Sequence, residues 1–271
     1  MNLRISTWNI NSVRLRIKQV QRFIEDVQPD VLCLQEIKVD DPLFPVEAFA
    51  DMGYEHQAVA GQKGYHGVAT LSKLPLTGWS RRNWCDKEEA RHVIASVDCG
   101  LKSDVEIHNF YIPAGGDIPD PEKNDKFAHK MQFLDDVSAW FRDEHEATTP
   151  KVLVGDLNIA PSEHDVWSHK QLLKVVSHTP IEVTKLGIMQ DSLNWVDAVR
   201  HLVPEPEQLF SWWSYRSKNW RTNNRGRRLD HIWVTDPLRE HLESMHIMED
   251  TRDWEKPSDH APITVNLTLP S

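Results

Sequence analysis

Four carboxylates stand where an apolar run meets a turn. Glu36 follows Val31-Leu32-Cys33-Leu34-Gln35, and Asp156 closes Lys151-Val152-Leu153-Val154-Gly155. Asp230 lies at the start of a strand candidate over 229–235, and Asp259 precedes another over 261–269. Carboxylates are rarely buried unless paired or bound to a metal. In α/β sheets, sites assemble at strand ends from residues distant in sequence. Several converging acids with neighbouring amides describe an oxygen-rich seat for a hard divalent cation such as Mg²⁺. Each acid alone reads first as a strand-terminating surface residue, so the inference rests on the set. Asp156 and Asn158, two apart in Gly155-Asp156-Leu157-Asn158, can point the same way from an extended strand end and hold one water or one phosphate oxygen. An Asx turn closing the strand would use the same two residues. Asp259-His260 sets a carboxylate beside an imidazole; neighbours on a strand face opposite ways, so the two should do different jobs.

Competing chemistries lack their residues. There is no G-x-S-x-G nucleophile elbow, no G-x-x-x-x-G-K-[ST] phosphate loop and no H-E-x-x-H. His164, His169 and His178 are irregularly spaced and have no supporting cysteine pair, which argues against zinc. Gly61, Gly64 and Gly67 precede no evident helix and read as a turn. Cys33, Cys85 and Cys99 form no C-x-x-C, and an odd count suits a reducing compartment. No leader pattern opens the chain, and no apolar run approaches the roughly 20 residues of a membrane span. The expected location is the cytoplasm, with no membrane partner.

The elements that must position these residues follow from periodicity. With 39 % hydrophobic and 27 % charged residues in 271, the chain can bury a large core, and one domain over 1–271 is expected. Leu3 to Trp8 alternates like a strand, residues 14–27 carry a helical apolar spacing, and Val31–Leu34 is a buried strand, giving a βαβ-like opening. The pattern returns as a helix over 127–144 and a strand over 151–156; "PDVLCLQE" and "PKVLVGDLN" look alike. Residues 66–72, 92–98 and 104–112 read as closely spaced antiparallel strands, 113–125 as a surface loop, and 163–185 as a helix and a long loop. Helices should cover the outer faces of the sheets.

The net charge is −10, from 31 basic and 41 acidic residues, which by itself disfavours a nucleic-acid partner. Yet 208–229 contains no acid. It holds Arg216, Lys218, Arg221, Arg225, Arg227 and Arg228 with Trp212, Trp213, Tyr215 and Trp220 among them. Such a segment can grip phosphates without reading sequence.

Six motifs, in order, resemble the exonuclease III family: Thr7-Trp8-Asn9-Ile10-Asn11, Leu34-Gln35-Glu36-Ile37-Lys38, Gly155-Asp156-Leu157-Asn158-Ile159-Ala160-Pro161, Phe210-Ser211-Trp212, Arg228-Leu229-Asp230-His231 and Ser258-Asp259-His260-Ala261-Pro262. They span residues 7–262. The wider superfamily of deoxyribonuclease I-like phosphodiesterases and lipid phosphatases shares several of them. Gly61-Gln62-Lys63-Gly64 and the Phe-Ser-Trp segment narrow the likeness to the DNA-repair branch.

The resemblance implies a four-layered α/β sandwich of two packed mixed β-sheets flanked by helices. It implies a Mg²⁺-dependent enzyme, with Mn²⁺ as substitute, that acts as a monomer on double-stranded DNA with abasic sites or 3′ ends. By resemblance, Glu36, Asn9 and Asp259 form the metal region, Asp156 and Asn158 prepare the attacking water, and Asp230 orients His260. His260 and Tyr111 would meet the phosphate. Arg91, Asn11, Arg216, Asn224 and Arg225 would contact DNA, while Trp212 and Phe210 wall a pocket. Two features depart from the family: Ser214 follows Trp213 where relatives often carry an aspartate, and 167–182 belongs to its variable part, which shapes the region beside the 3′ end. Two other classes remain: a phosphoesterase for phospholipid or inositol phosphate, and an inactive DNA-binding adaptor on the same scaffold.

Overall fold

The structure is a computed structural model that describes residues 1–217 and 219–270; Lys218 of the basic segment lies outside the described residues. Its strands are β1 (Asn2–Asn9), β2 (Val31–Gln35), β3 (His56–Ala60), β4 (Val68–Ser72), β5 (Leu76–Arg81), β6 (His92–Val97), β7 (Val105–Tyr111), β8 (Lys151–Asp156), β9 (Val196–Asp197), β10 (Trp212–Trp213), β11 (Gly226–Arg227), β12 (Asp230–Val234), β13 (Leu242–Ile247) and β14 (Ile263–Thr268). Two six-stranded mixed sheets form, in the orders β13-β14-β1-β2-β4-β3 and β5-β6-β7-β8-β12-β9. The orders are equivalent. Each sheet has one central parallel pair, β1/β2 or β7/β8, with antiparallel neighbours on both sides. The likeness of "PDVLCLQE" and "PKVLVGDLN" is therefore a likeness of position: β2 and β8 occupy matching places.

Strand alternation builds four layers. Leu3, Ile5, Val31, Cys33, Val152, Val154, Ile232 and Val265 meet in one buried cluster between the sheets. The residues between them face outward: Leu32 and Leu34 pack with Val20, Phe23 and Ile24 of the helix Val13–Val27, and Leu153 and Trp233 pack with Phe127, Leu134 and Phe141 of the helix Asp125–Glu144. The period of two thus divides each strand between an inner core and a helix-covered face.

Two expectations needed correction. Residues 68–72 and 92–97 are not neighbours; β4 pairs with β2 and β3, whereas β6 pairs with β5 and β7 in the opposite sheet. Close spacing in sequence hid a crossover between sheets. The region 163–185 holds a 3-10 turn, Glu163–Asp165, a short helix, His169–Leu172, and the start of the helix Pro180–Asp191. That last helix has a sequence signal, Thr179-Pro180-Ile181-Glu182, in which Thr179 and Glu182 cap each other's backbone and Pro occupies the first helical position. Sequence periodicity does not predict the four edge strands, β3, β5, β9 and β13; β5 and β13 are largely solvated and carry no clean apolar alternation. Among the described residues no helix is long and apolar enough to cross a membrane.

Candidate active site

The parallel pairs bring their C-terminal ends to one edge of the sandwich. In the second sheet Tyr111 of β7, Asp156 of β8 and Asp230 of β12 stand in register on neighbouring strands. From the first sheet come Asn9 at the end of β1, Glu36 just beyond β2 and His260 before β14. Asn9 joins the sheets: its Nδ2 donates to Glu36 Oε1 at 2.8 Å and to Asp156 Oδ2 at 2.9 Å. Beneath it, Gln35 Nε2 donates to Asn109 Oδ1 at 2.7 Å, a second fully buried link between the sheets. Gly155 permits the strand contact under Asp156. Its φ is +138°, and a Cβ there would lie 1.9 Å from the Phe110 carbonyl oxygen.

Asp156, Asp230 and His260 form a buried proton-sharing chain. His260 Nδ1 donates to Asp230 Oδ2 at 2.8 Å, and its Nε2 lies 3.7 Å from Asp156 Oδ2. Ser211 Oγ also donates to Asp230 Oδ2, at 2.6 Å. Burial disfavours the imidazolium, but the carboxylates of Asp230, Asp156 and Asp259 outweigh it, and His260 is pushed up to about 10. Asp156 is pushed up to about 7, chiefly by burial, with Asp230 and Glu36 adding to it and His260 opposing. A carboxylate near 7 can accept a proton at neutral pH far better than an ordinary aspartate. The Asn158 backbone N–H donates to Asp156 Oδ1 at 2.9 Å, and its side-chain amide reaches the Ile112 carbonyl at 2.9 Å and Asp156 Oδ2 at 3.3 Å. The Asx turn and the oriented carboxylate are one arrangement.

Glu36 sits opposite. Burial raises its carboxyl, but Lys38, the Asn9 amide and His260 prevail, so it lies below its ordinary value and is ionised. Tyr111 Oη donates to Glu36 Oε1 at 2.9 Å, and Lys38 Nζ lies 2.7 Å from Oε2. Burial and the neighbouring acids raise the Tyr111 phenol, so it stays protonated as a donor. Asp259 receives the Trp212 indole N–H at 3.0 Å and the Asn11 amide at 3.2 Å. Glu36, Tyr111, Asp156, Asn158, Trp212, Asp259 and His260 line one cavity of about 510 Å³.

The donor set suits a hard cation. Asp156, Asp230 and His260 approach within chelating distance, but an imidazole held protonated has no lone pair to give a metal. The better seat is at Glu36, whose second oxygen already attracts an ammonium and whose cavity offers carboxylate and amide oxygens. A second cluster, Glu106, His108 and His145, lies at the far end of β7. On Glu106 Oε1 alone converge Lys151 Nζ at 2.7 Å, His108 Nε2 at 2.9 Å and His145 Nδ1 at 3.5 Å, so both imidazoles already face the carboxylate.

Several expected contacts fall elsewhere. Arg91 is buried, and it is absent from the cavity wall. Its guanidinium pairs with Glu89, donates to the Tyr111 carbonyl at 3.2 Å and meets His66 Nε2 at 3.3 Å. It braces Tyr111 and presents no free cation to a phosphate. Phe210 is buried against Trp213, Trp220 and Ala261, leaving Trp212 as the aromatic wall. Arg228 is fully buried on Asp165 and Asp197, at 2.7 and 2.8 Å, and Arg221 pairs with Asp250 and Asp253. Arg216 and Arg225 are exposed; Asn224, also exposed, accepts the Trp213 indole N–H at 3.0 Å.

Ser211, inside the Phe-Ser-Trp motif, supports Asp230; one further supporting residue carried no sequence signal. Lys130, fully buried in the helix Asp125–Glu144, donates to Glu182 Oε1 at 2.6 Å and to the Asn158 carbonyl at 2.9 Å. An isolated lysine inside a helical run reads as a solvated position, and only the fold shows what it holds.

Residues 6–260 match the Endonuclease/Exonuclease/phosphatase family. The chain is 37 % identical over 268 residues to exodeoxyribonuclease III of Haemophilus influenzae, covering 96 % of this chain and 98 % of that protein. Among solved structures it resembles an AP endonuclease from Archaeoglobus fulgidus, with 30 % identity and a TM-score of 0.91 over 98 % of this chain and all of that one. It also resembles a 3′-5′ exonuclease from Neisseria meningitidis, with 31 % identity and a TM-score of 0.88 over the same shares.

Proposed function

The chain belongs to the Endonuclease/Exonuclease/phosphatase family, and from that premise we propose that it is a divalent-metal-dependent DNA phosphodiesterase of base-excision repair. It hydrolyses the backbone 5′ to abasic sites and clears nucleotides or blocking groups from 3′ ends. The observation that carries this is the pairing, 3.7 Å apart in one cavity, of a carboxylate raised to about 7 with an imidazole raised to about 10. One accepts a proton while the other donates to an anion.

Asp156 takes the proton from the attacking water, and Asn158 with Asn9 holds its carboxylate in place. His260, kept cationic by Asp230, donates from Nε2 to a phosphate oxygen, where charge develops in the transition state. Tyr111 offers its hydroxyl from the other side of the cavity. Glu36, with Asp259 and Asn9 near it, would hold Mg²⁺ or Mn²⁺. Bound there, the ion would neutralise the phosphodiester, easing attack by an anion, and would take up the charge on the leaving oxygen. Arg216, Arg225, Asn224 and Asn11 grip the duplex backbone, and Trp212 bounds the pocket for the exposed sugar. The enzyme acts as a monomer, and its three unpaired cysteines suit the cytoplasm.

The test is cleavage of a labelled duplex carrying one abasic-site analogue beside an undamaged blunt duplex, each with Mg²⁺ and with EDTA. Incision 5′ to the lesion that EDTA abolishes establishes the endonuclease. Shortening only from 3′ ends makes it an exonuclease or end-trimming enzyme. Retained binding without cleavage would sink the catalytic assignment.

A further inference from the structure

We propose that a second cavity, on the Trp167 side of Trp212, is a stacking site for an unpaired nucleobase next to the scissile phosphate; this rests on the nuclease reading above. The cavity holds about 410 Å³, and its walls include Trp167, Trp212, Arg216, Arg225 and Arg227. Three of these, Trp212, Arg216 and Arg227, also wall the main cavity, so the two spaces meet at one indole. A nucleotide that leaves the duplex beside the reacting phosphate therefore has a second place to go.

The chemistry of the walls selects the occupant. The Arg225 guanidinium lies 4.7 Å from the centre of the Trp167 ring, and that of Arg227 lies 5.2 Å from the Trp212 ring. Each guanidinium thus lies over an indole ring, and indoles and guanidiniums are the two surfaces on which unpaired bases stack. Among the described residues no acid lines the cavity. Flat apolar walls with a cationic rim match a nucleobase and its phosphate in both shape and charge. An aliphatic chain would have no use for the guanidinium planes.

Three of the walls, Trp167, Trp212 and Arg227, are also tied to the fold. The Trp167 backbone N–H donates to the Gly226 carbonyl at 3.1 Å, and Val166 bridges Arg227. Arg227 pairs in turn with Trp212 across β10 and β11. The Trp212 indole is tied to Asp259 at 3.0 Å, and Arg227 Nη1 to the Val176 carbonyl at 3.0 Å. A site already ordered loses little conformational freedom on binding. Ends that release a base easily, such as a mismatched or overhanging 3′ nucleotide, gain most from it.

The test compares Trp167→Ala and Trp167→Phe with wild type on two duplexes, one with a mismatched 3′-terminal nucleotide and one fully paired. The quantity read is the ratio of kcat/KM for the frayed end to that for the paired end. Loss of one base stack should lower this ratio about tenfold in Trp167→Ala, through KM, with Trp167→Phe restoring most of it. In parallel, 2-aminopurine at the unpaired terminal position, in EDTA, should be quenched by wild type and released by Trp167→Ala. An unchanged ratio in a folded variant, or absence of quenching by wild type, overturns the stacking site. If wild type cleaves neither duplex, the nuclease reading fails instead, and the 2-aminopurine measurement still decides the cavity. Should Trp167→Ala fail to fold, Trp167→Leu, which keeps bulk without a ring, takes its place with the same losses of ratio and of quenching expected.

Discussion

Replacing Asp230 by Asn removes one charge and keeps the shape of the side chain. With the amide oxygen in the place of Oδ2, Ser211 Oγ and the Nδ1–H of a neutral His260 can both still donate to it. The effect should fall on the charge of the ring. His260 stands near 10 against an ordinary value of about 6.5. That difference is about 5 kcal/mol in favour of the cation at ~1.4 kcal/mol per unit. Burial pulls the other way, so the neighbouring carboxylates supply all of it, Asp230 first. If the ring returns to about 6.5, only about one molecule in ten holds the cation at pH 7.5. The expected loss in the single-turnover cleavage rate is then about tenfold at pH 7.5, nearing a hundredfold at about pH 8.5 and shrinking below about twofold at about pH 5.5. The assay is single-turnover cleavage of a paired duplex across that range, for both enzymes in the same metal concentration. A ratio of rates that stays constant with pH would refute the reasoning, because it would mean that Asp230 acts only by holding the ring in place.

Three further outcomes follow from buried groups. Lys130→Met strands the Glu182 carboxylate and frees the Asn158 carbonyl, so thermal denaturation should show a loss of about 3–5 kcal/mol. The double variant Lys130→Met/Glu182→Gln should recover part of that loss, and a double variant no more stable than the single would contradict this account. Gly155→Ala forces a Cβ into the Phe110 carbonyl, and on the order of 3 kcal/mol should be lost in urea unfolding, with activity falling as β8 shifts Asp156. Acid should destabilise the fold through histidines buried neutral. His231 donates from Nε2 to the Ile159 carbonyl and accepts from Arg228 on Nδ1; burial and that cation hold it near 4, and burial holds His108 near 4 as well. Unfolded, both take a proton at about 6.5. Stability should be full above pH ~6.5 and fall toward pH ~4, by up to about 2.7 kcal/mol per pH unit for the two. Urea unfolding of His231→Gln should show the slope reduced by one histidine's share, about 1 kcal/mol per pH unit, and an unaltered slope would exclude His231 as a contributor.

The acids were legible in the sequence because each stands at an edge of an apolar run, Glu36 and Asp156 after one and Asp230 and Asp259 before one, and a strand end that carries a carboxylate stands out whatever surrounds it. The parallel strand pairs were legible too, since a helical period between two buried runs permits little else. The family likeness added which acids belong together. Sequence could not say which cations were free. Arg228 and Arg221 share the acid-free stretch with Arg216 and Arg225, yet their counter-charges, Asp165, Asp197, Asp250 and Asp253, come from other segments of the chain. The same holds for Arg91, a cation by type that the fold turns into a brace for Tyr111. The raised Asp156 is the plainest case. A carboxylate's proton affinity depends on the water removed and the charges placed around it, and both were set when β1, β8, β12 and the turn before β14 closed over one another. Residue types and their order thus determined the kind of chemistry, while which groups are charged, free or braced was decided by tertiary packing, because electrostatic energy is a property of distances and burial that no linear spacing encodes.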